Sequence, residues 1–109
     1  MISKKEVNGV LLLTVEQERV DMVISRQFKE ELLESIQEKP ANVILNLSNV
    51  QYLDSSALGT LVAFLREIKK YGGTLKLCSL SSTLMTLMSL SKLDAMFKIY
   101  DTCEEALGS

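Results

Sequence analysis

The sequence has no histidine among its 109 residues. This absence removes the commonest general base, the commonest metal ligand and the base of every Ser-His or Cys-His catalytic site. The chain also has no Gly-x-Ser-x-Gly motif and no Gly-x-x-x-x-Gly-Lys phosphate-binding loop. We therefore predict a protein that is not an enzyme, with no cofactor, no metal site and no catalytic residue.

Charge of one sign and long apolar runs are lacking as well. The chain has twelve basic and fourteen acidic residues, which give a formal net charge of -2. It has no stripe of lysine and arginine that would suggest a nucleic-acid partner. The apolar stretches are far shorter than the roughly 20 residues that span a bilayer. The first residues, Met1 to Glu6, do not resemble a signal peptide. These features predict a cytoplasmic protein without membrane insertion.

Cysteine and proline are scarce. The two cysteines, Cys78 and Cys103, are far apart and lack the spacing of metal ligands. Free thiols in a reducing compartment are their simplest interpretation. The single proline, Pro40, is expected to end a helix.

The pattern of apolar residues predicts one α/β domain over residues 1–109. Asn8-Gly9 between two strand-like runs indicates a hairpin. A helix from about Ser25, its expected N-cap, to Lys39 follows, with an apolar stripe of Phe28, Leu32 and Ile36. A strand over Val43–Leu47 leads into a second helix that Gly72-Gly73 ends near Tyr71, with a stripe of Leu58, Leu61, Leu65 and Ile68. A strand from Leu75 to Cys78, a third helix, a short strand around Lys98 and a short C-terminal helix complete the order. Thr102, with Glu105 three residues later, is expected to cap the last helix.

Two strands of this pattern are polar on one face. Asn46 and Ser48 alternate with the apolar side chains of one strand, and Lys76 and Cys78 do so in the next. Such strands favour a sheet that is covered mainly on one side. The predicted fold is a mixed β-sheet of four to five strands with about four helices, mostly on one face.

The stretch Asp54-Ser55-Ser56 lies between the strand over Val43–Leu47 and the helix that begins near Leu58. A helix N-terminus offers free N–H groups and is suited to bind an anion. The simplest interpretation is that Ser55 and Ser56 cap the helix and that Asp54 satisfies backbone donors. A functional site at the same corner is compatible with that interpretation.

The corner Asp54 to Gly59 and the Gly72-Gly73 turn after its helix resemble the anti-sigma factor antagonist family, the small stand-alone STAS domains of bacteria. The order and lengths of the elements from Val43 to Tyr100 agree with that family. Val20-Asp21, followed by an amphipathic helix, matches the Leu-Asp that precedes the family's first helix. The resemblance implies a STAS-like fold.

It also implies a function. Members of the family bind, when unphosphorylated, an anti-sigma factor that is also a serine kinase, and so free a sigma factor. The kinase phosphorylates the first serine after the aspartate, here Ser55, and a serine phosphatase reverses the step. By this resemblance the partner is expected to contact six further residues at the same surface: Asp21, Asp54, Ser56, Ala57, Leu58 and Gly59.

The chain departs from the family pattern at two places. Ala57 stands where the family usually has glycine, and its methyl group is expected at the side that a kinase approaches. Glu18-Arg19 replaces a glycine turn before Asp21. STAS domains also serve lipid-transport complexes and larger signalling assemblies without phosphorylation, and these departures leave that alternative open.

Overall fold

The computed structural model describes all 109 residues, Met1 to Ser109. The chain forms seven strands and four helices. The strands are β1 (Ile2–Val7), β2 (Val10–Val15), β3 (Arg19–Val20), β4 (Asn42–Asn46), β5 (Tyr52–Leu53), β6 (Thr74–Cys78) and β7 (Lys98–Tyr100). The helices are α1 (Ser25–Ser35), α2 (Ser55–Lys70), α3 (Ser82–Leu90) and α4 (Cys103–Gly108).

Five of the strands form one mixed sheet in the order β1-β2-β4-β6-β7. The hairpin β1–β2 is antiparallel, and its turn residues Asn8 and Gly9 both have positive φ, 51° and 79°, as the sequence predicts. The pairs β2–β4, β4–β6 and β6–β7 are parallel. Parallel neighbours need long crossover connections, and α1, α2 and α3 supply them in turn.

The hydrophobic core lies between one face of this sheet and the helices α1, α2 and α3. From β4, Val43 and Leu45 join it, and from α2 the predicted stripe of Leu58, Leu61, Leu65 and Ile68 is buried against the sheet. A cluster of 23 buried residues makes up this core. Burial of apolar area at about 25 cal/mol per Å² is the main force that holds the layers together.

The opposite face of the sheet is covered by α4 alone. Ile44, Cys78 and Ala106 form a separate buried cluster there. The predicted fold, a mixed sheet with four helices mostly on one face, is therefore confirmed. Thr102 caps α4 by accepting a hydrogen bond from the Glu105 N–H at 3.1 Å, as its spacing predicts.

Three local predictions are wrong. Helix α1 ends at Ser35, before Pro40, because a turn with Lys39 at positive φ separates the two. Ser25 is the first helical residue and not the N-cap, a position that Ile24 holds without a side-chain bond. Cys78 and Cys103 are not free thiols but form a disulfide between the end of β6 and the start of α4, 25 residues apart in sequence.

Candidate functional site

The predicted corner lies next to a small second sheet that periodicity did not reveal. Strand β3 pairs with β5 in parallel, so Val20 lies opposite Leu53. The N–H of Asp54 donates to the Val20 carbonyl at 3.1 Å, and the N–H of Gln51 donates to the Glu18 carbonyl at 2.7 Å. These bonds attach the loop before α1 to the start of α2.

The loop that lacks the family's glycine is thus held in place by other means. Arg19 stacks its guanidinium over the Tyr52 ring, 4.5 Å from the ring centroid. Val20, the next residue, is fully buried. A stacked exposed residue and a buried neighbour hold this segment in a defined position. Asp21 follows directly and comes to the same surface as Asp54.

Asp54 is the N-cap of α2. Its Oδ1 accepts the Ala57 N–H at 2.9 Å and the Ser56 hydroxyl at 2.6 Å. The Ser56 hydroxyl, and then the Ala57 N–H, hold the pKa of this carboxyl below its ordinary value of 3.8. Asp54 is therefore ionised at neutral pH. The free helix N-terminus expected from the sequence already carries one anionic group.

The two serines of the corner differ in their environment. The Ser56 hydroxyl is engaged by Asp54, whereas none of the side-chain hydrogen bonds at the corner involves Ser55. Both residues are exposed. Neither is the N-cap, which corrects the capping interpretation of both. Ser55 is left as the exposed hydroxyl that phosphorylation could modify without breaking an internal hydrogen bond.

Ala57 and Leu58 do not present their side chains at this surface. Ala57 is fully buried in the main core, and Leu58 is 8% exposed. The Ala57 methyl group therefore points into the protein, contrary to its expected position on the kinase side. Gly59, by contrast, is exposed, and a Cβ added there would meet no atom within 4 Å.

The structure adds two residues that the sequence reasoning missed. Met22 and Val23 follow Asp21 and are 76% and 87% exposed. The Val23 N–H donates to the Asp21 carboxylate at 3.0 Å, which orders the turn that presents them. Ile24 continues the four-residue spacing of the apolar stripe of α1, whereas Met22 and Val23 lie outside that spacing. The sequence pattern could therefore have marked both as apolar residues that do not belong to the core.

Asp21, Met22, Val23, Asp54, Ser55, Ser56 and Gly59 together are called the corner surface below. No group of three or more acidic or cysteine side chains in the structure is arranged to hold a metal ion. None of the helices combines the length and apolar character needed to cross a membrane. The corner surface is chemically a patch with a fixed negative charge, an available hydroxyl and adjacent apolar side chains.

Comparison with known proteins supports the resemblance. The family model for the STAS domain matches residues 1–106. The anti-sigma F factor antagonist of Paenibacillus polymyxa is 30% identical over 100 residues, which cover 91% of this chain and 85% of that protein.

Solved structures agree. A Thermotoga maritima protein provisionally named an anti-sigma factor antagonist superposes with a TM-score of 0.88 at 29% identity, covering 98% of this chain and 92% of its own. The Bacillus cell fate determinant SpoIIAA in its phosphorylated form has a TM-score of 0.70. Its identity of 19%, over 99% of this chain and 97% of that one, shows likeness of fold alone.

Proposed function

Because the chain belongs to the STAS domain family, we propose that it is an anti-sigma factor antagonist that binds an anti-sigma serine kinase and is switched off when Ser55 is phosphorylated. In its unphosphorylated form it frees a sigma factor from that kinase. It acts in the cytoplasm as a regulatory partner and not as an enzyme. The observation that carries the proposal is the difference between Ser55, which is exposed and unbonded, and Ser56, which is held by Asp54.

Charge supports a switch at this position. A phosphate on Ser55 adds about -1.5 to -2 charge at pH 7. The neighbouring Asp54 carboxylate is already ionised and already uses the Ala57 N–H. The corner surface has two carboxylates, Asp21 and Asp54, so the phosphate would nearly double its negative charge with few local donors left to neutralise it. A partner that docks on the unmodified surface would be repelled.

The apolar residues support docking. Met22 and Val23 are exposed next to the phosphorylation position, and burying exposed apolar area against a partner is favourable at about 25 cal/mol per Å². Methionine adapts to irregular partner surfaces. Asp21 orders the turn that carries both side chains.

Gly59 supports close approach by the partner. Glycine within a helix costs about 1 kcal/mol relative to alanine. A Cβ added at Gly59 would meet no other atom of this protein within 4 Å, so internal packing does not require a glycine at this position. Gly59 lies one helical turn after Ser55, and its lack of a side chain leaves the helix backbone accessible to the close approach of another molecule.

The test is an incubation with the anti-sigma serine kinase of the source organism and Mg-ATP. Mass spectrometry of proteolytic fragments then locates the phosphate. We expect modification of the wild type and of Ser56→Ala, but none of Ser55→Ala. Ser56→Ala is the matched control, since it removes the neighbouring hydroxyl and leaves Ser55 in place. Modification of Ser55→Ala at Ser56 would contradict the assignment.

Binding provides the second half of the test. Titration calorimetry with the kinase should show that Ser55→Asp binds at least about tenfold more weakly than wild type, a difference of roughly 1.4 kcal/mol. Ser55→Asn is the neutral control of similar size. Equal affinity of Ser55→Asp and wild type, together with no phosphorylation, would favour a STAS subunit of a transport or signalling assembly instead. The serine phosphatase of the pathway should restore binding of the phosphorylated wild type.

A further inference from the structure

The Cys78–Cys103 pair lies apart from the corner surface, on the other face of the sheet. Cys78 is the last residue of β6 and is fully buried, while Cys103 is the first residue of α4 and is partly exposed. We propose that this pair is a reversible thiol–disulfide site that controls whether α4 stays docked on the sheet.

The first reason is that α4 has few other attachments. It has only six residues, and helices shorter than about 12 residues are marginal by themselves in water. Its C-terminal end is held by the Lys76 ammonium, which donates to the carbonyls of Ala106 at 3.1 Å and Ser109 at 3.0 Å. Its N-terminal end is tied to the sheet by the disulfide.

The second reason is what α4 covers. Ala106 packs on Ile44 and Cys78, with Val10, Leu12 and Leu107 at the margin of this cluster. A partly open pocket of about 140 Å³ lies between the C-terminal part of α4 and strands β2, β4 and β6. The helix is therefore not packed closely along this side, and loss of the bridge would release a helix that buries only a small apolar area.

The third reason is that the two sulfurs differ in access. Cys103 is partly exposed, and its Sγ lies 3.6 Å from the Ser79 hydroxyl, which could donate a hydrogen bond to a thiolate. Cys78 is enclosed by the sheet and α4. A small thiol or disulfide therefore meets Cys103 first.

The reaction partner is a low-molecular-weight disulfide such as oxidised glutathione. The Cys103 thiolate attacks one of its sulfurs, one glutathione thiolate leaves, and a mixed disulfide forms at Cys103. The Cys78 thiolate then attacks the Cys103 sulfur and displaces the second glutathione thiolate. Both protein thiols lose their protons, and two electrons pass to the small disulfide, which ends as two thiols. Excess reduced glutathione runs the steps backwards.

The experiment uses the full chain in glutathione buffers that range from fully reducing to fully oxidising. Samples are quenched with an alkylating agent, and intact mass counts the free thiols. We expect two alkylated cysteines in the reduced limit, none in the oxidised limit, and full return when the buffer is reversed. Free thiols throughout the series, or a bridge that excess reduced glutathione leaves intact, would overturn the proposal.

Hydrogen exchange on the same samples tests the consequence. Amides of residues 103–108 should exchange roughly tenfold or more faster in the reduced protein, since α4 then opens locally. Residues 55–70 of α2, on the other face, should be unchanged. Equal exchange of α4 in both forms would also overturn the proposal, because the bridge would then not control docking.

The variant Cys103→Ser provides a matched control, since it should exchange like the reduced protein in every buffer. If that variant fails to fold, the comparison of oxidised and reduced wild type still decides the question without a substitution. No kinase takes part in these measurements. Their failure would therefore leave the proposed switch at Ser55 untouched, and the reverse also holds.

Discussion

At the scale of single residues, Asp54 combines two roles that are usually separate. Its carboxylate caps α2 through the Ala57 N–H, and its charge sets the electrostatic state of the surface around Ser55. The same oxygen also holds the Ser56 hydroxyl, which leaves Ser55 as the serine without an internal bond. One side chain thus stabilises the helix and distinguishes the two serines.

Removing the cap should therefore weaken the fold. Asp54→Ala is expected to lower the free energy of unfolding by about 1 kcal/mol, the usual cost of a lost N-cap. Asp54→Asn should lose less, because its amide oxygen can still accept the Ala57 N–H. Urea denaturation at pH 7 measures both. If Ala and Asn variants are equally destabilised, charge and not capping is the main contribution of Asp54.

The low pKa of Asp54 predicts a direction with pH. A carboxyl whose pKa is lower in the folded state contributes stability that is complete above its ordinary value of 3.8 and is lost as pH falls through the lower folded-state value. The stability of wild type relative to Asp54→Asn should therefore be constant near neutral pH and fall below about pH 4. A relative stability that rises on acidification would contradict the hydrogen-bonding described for this group.

At the scale of elements, a glycine within helix α2 and a glycine just beyond its end differ in the space that surrounds them. Gly59 lies within the helix with open space around it. Gly73 lies just beyond the helix end, where an added Cβ would come within 2.7 Å of the Tyr71 ring and 2.9 Å of the Ile68 side chain. The first is free of internal constraint, whereas the second is required by packing.

Alanine substitutions should separate these two cases. Gly73→Ala is expected to lower the free energy of unfolding by about 1–3 kcal/mol through overpacking. Gly59→Ala should raise it by about 1 kcal/mol through helix propensity, while weakening binding of the proposed kinase partner. Thermal denaturation measures the first effect and calorimetry with the kinase the second. A stabilised Gly59→Ala that binds as well as wild type would show that the partner does not approach this backbone.

At the scale of the whole molecule, the two faces of the sheet are stabilised unequally. Three helices and a core of 23 residues cover one face, whereas the six-residue α4 and a cluster of three buried residues cover the other. The disulfide joins α4, which covers the second face, to strand β6. The corner surface belongs to the side of the sheet that carries the larger core, which gives the proposed docking site a rigid base.

Reduction should consequently destabilise the protein without unfolding it. The bridge closes a loop of 25 residues in sequence, and such cross-links contribute about 3 kcal/mol. Urea denaturation with and without a reductant should show a loss of this order for wild type. Cys103→Ser should be insensitive to the reductant. A wild type whose stability is equal in both conditions would mean that the bridge makes no net contribution.

The sequence by itself determined the longer elements and the fold class. The hairpin turn at Asn8-Gly9, the apolar stripe of α2 and the end of α2 just before Gly72 depend on neighbours within a few residues, so periodicity and turn chemistry suffice to predict them. The position of Asp54-Ser55-Ser56 at a helix start is local in the same sense.

Only the tertiary structure decided how this corner is built. The pairing of β3 with β5 joins segments about thirty residues apart, and two-residue strands leave no periodic signal. Burial of Ala57, exposure of Met22 and Val23, and contact of Cys78 with Cys103 each depend on which distant segment packs alongside. Residue type and spacing determine which elements form, but the packing of distant segments determines which atoms of those elements reach solvent.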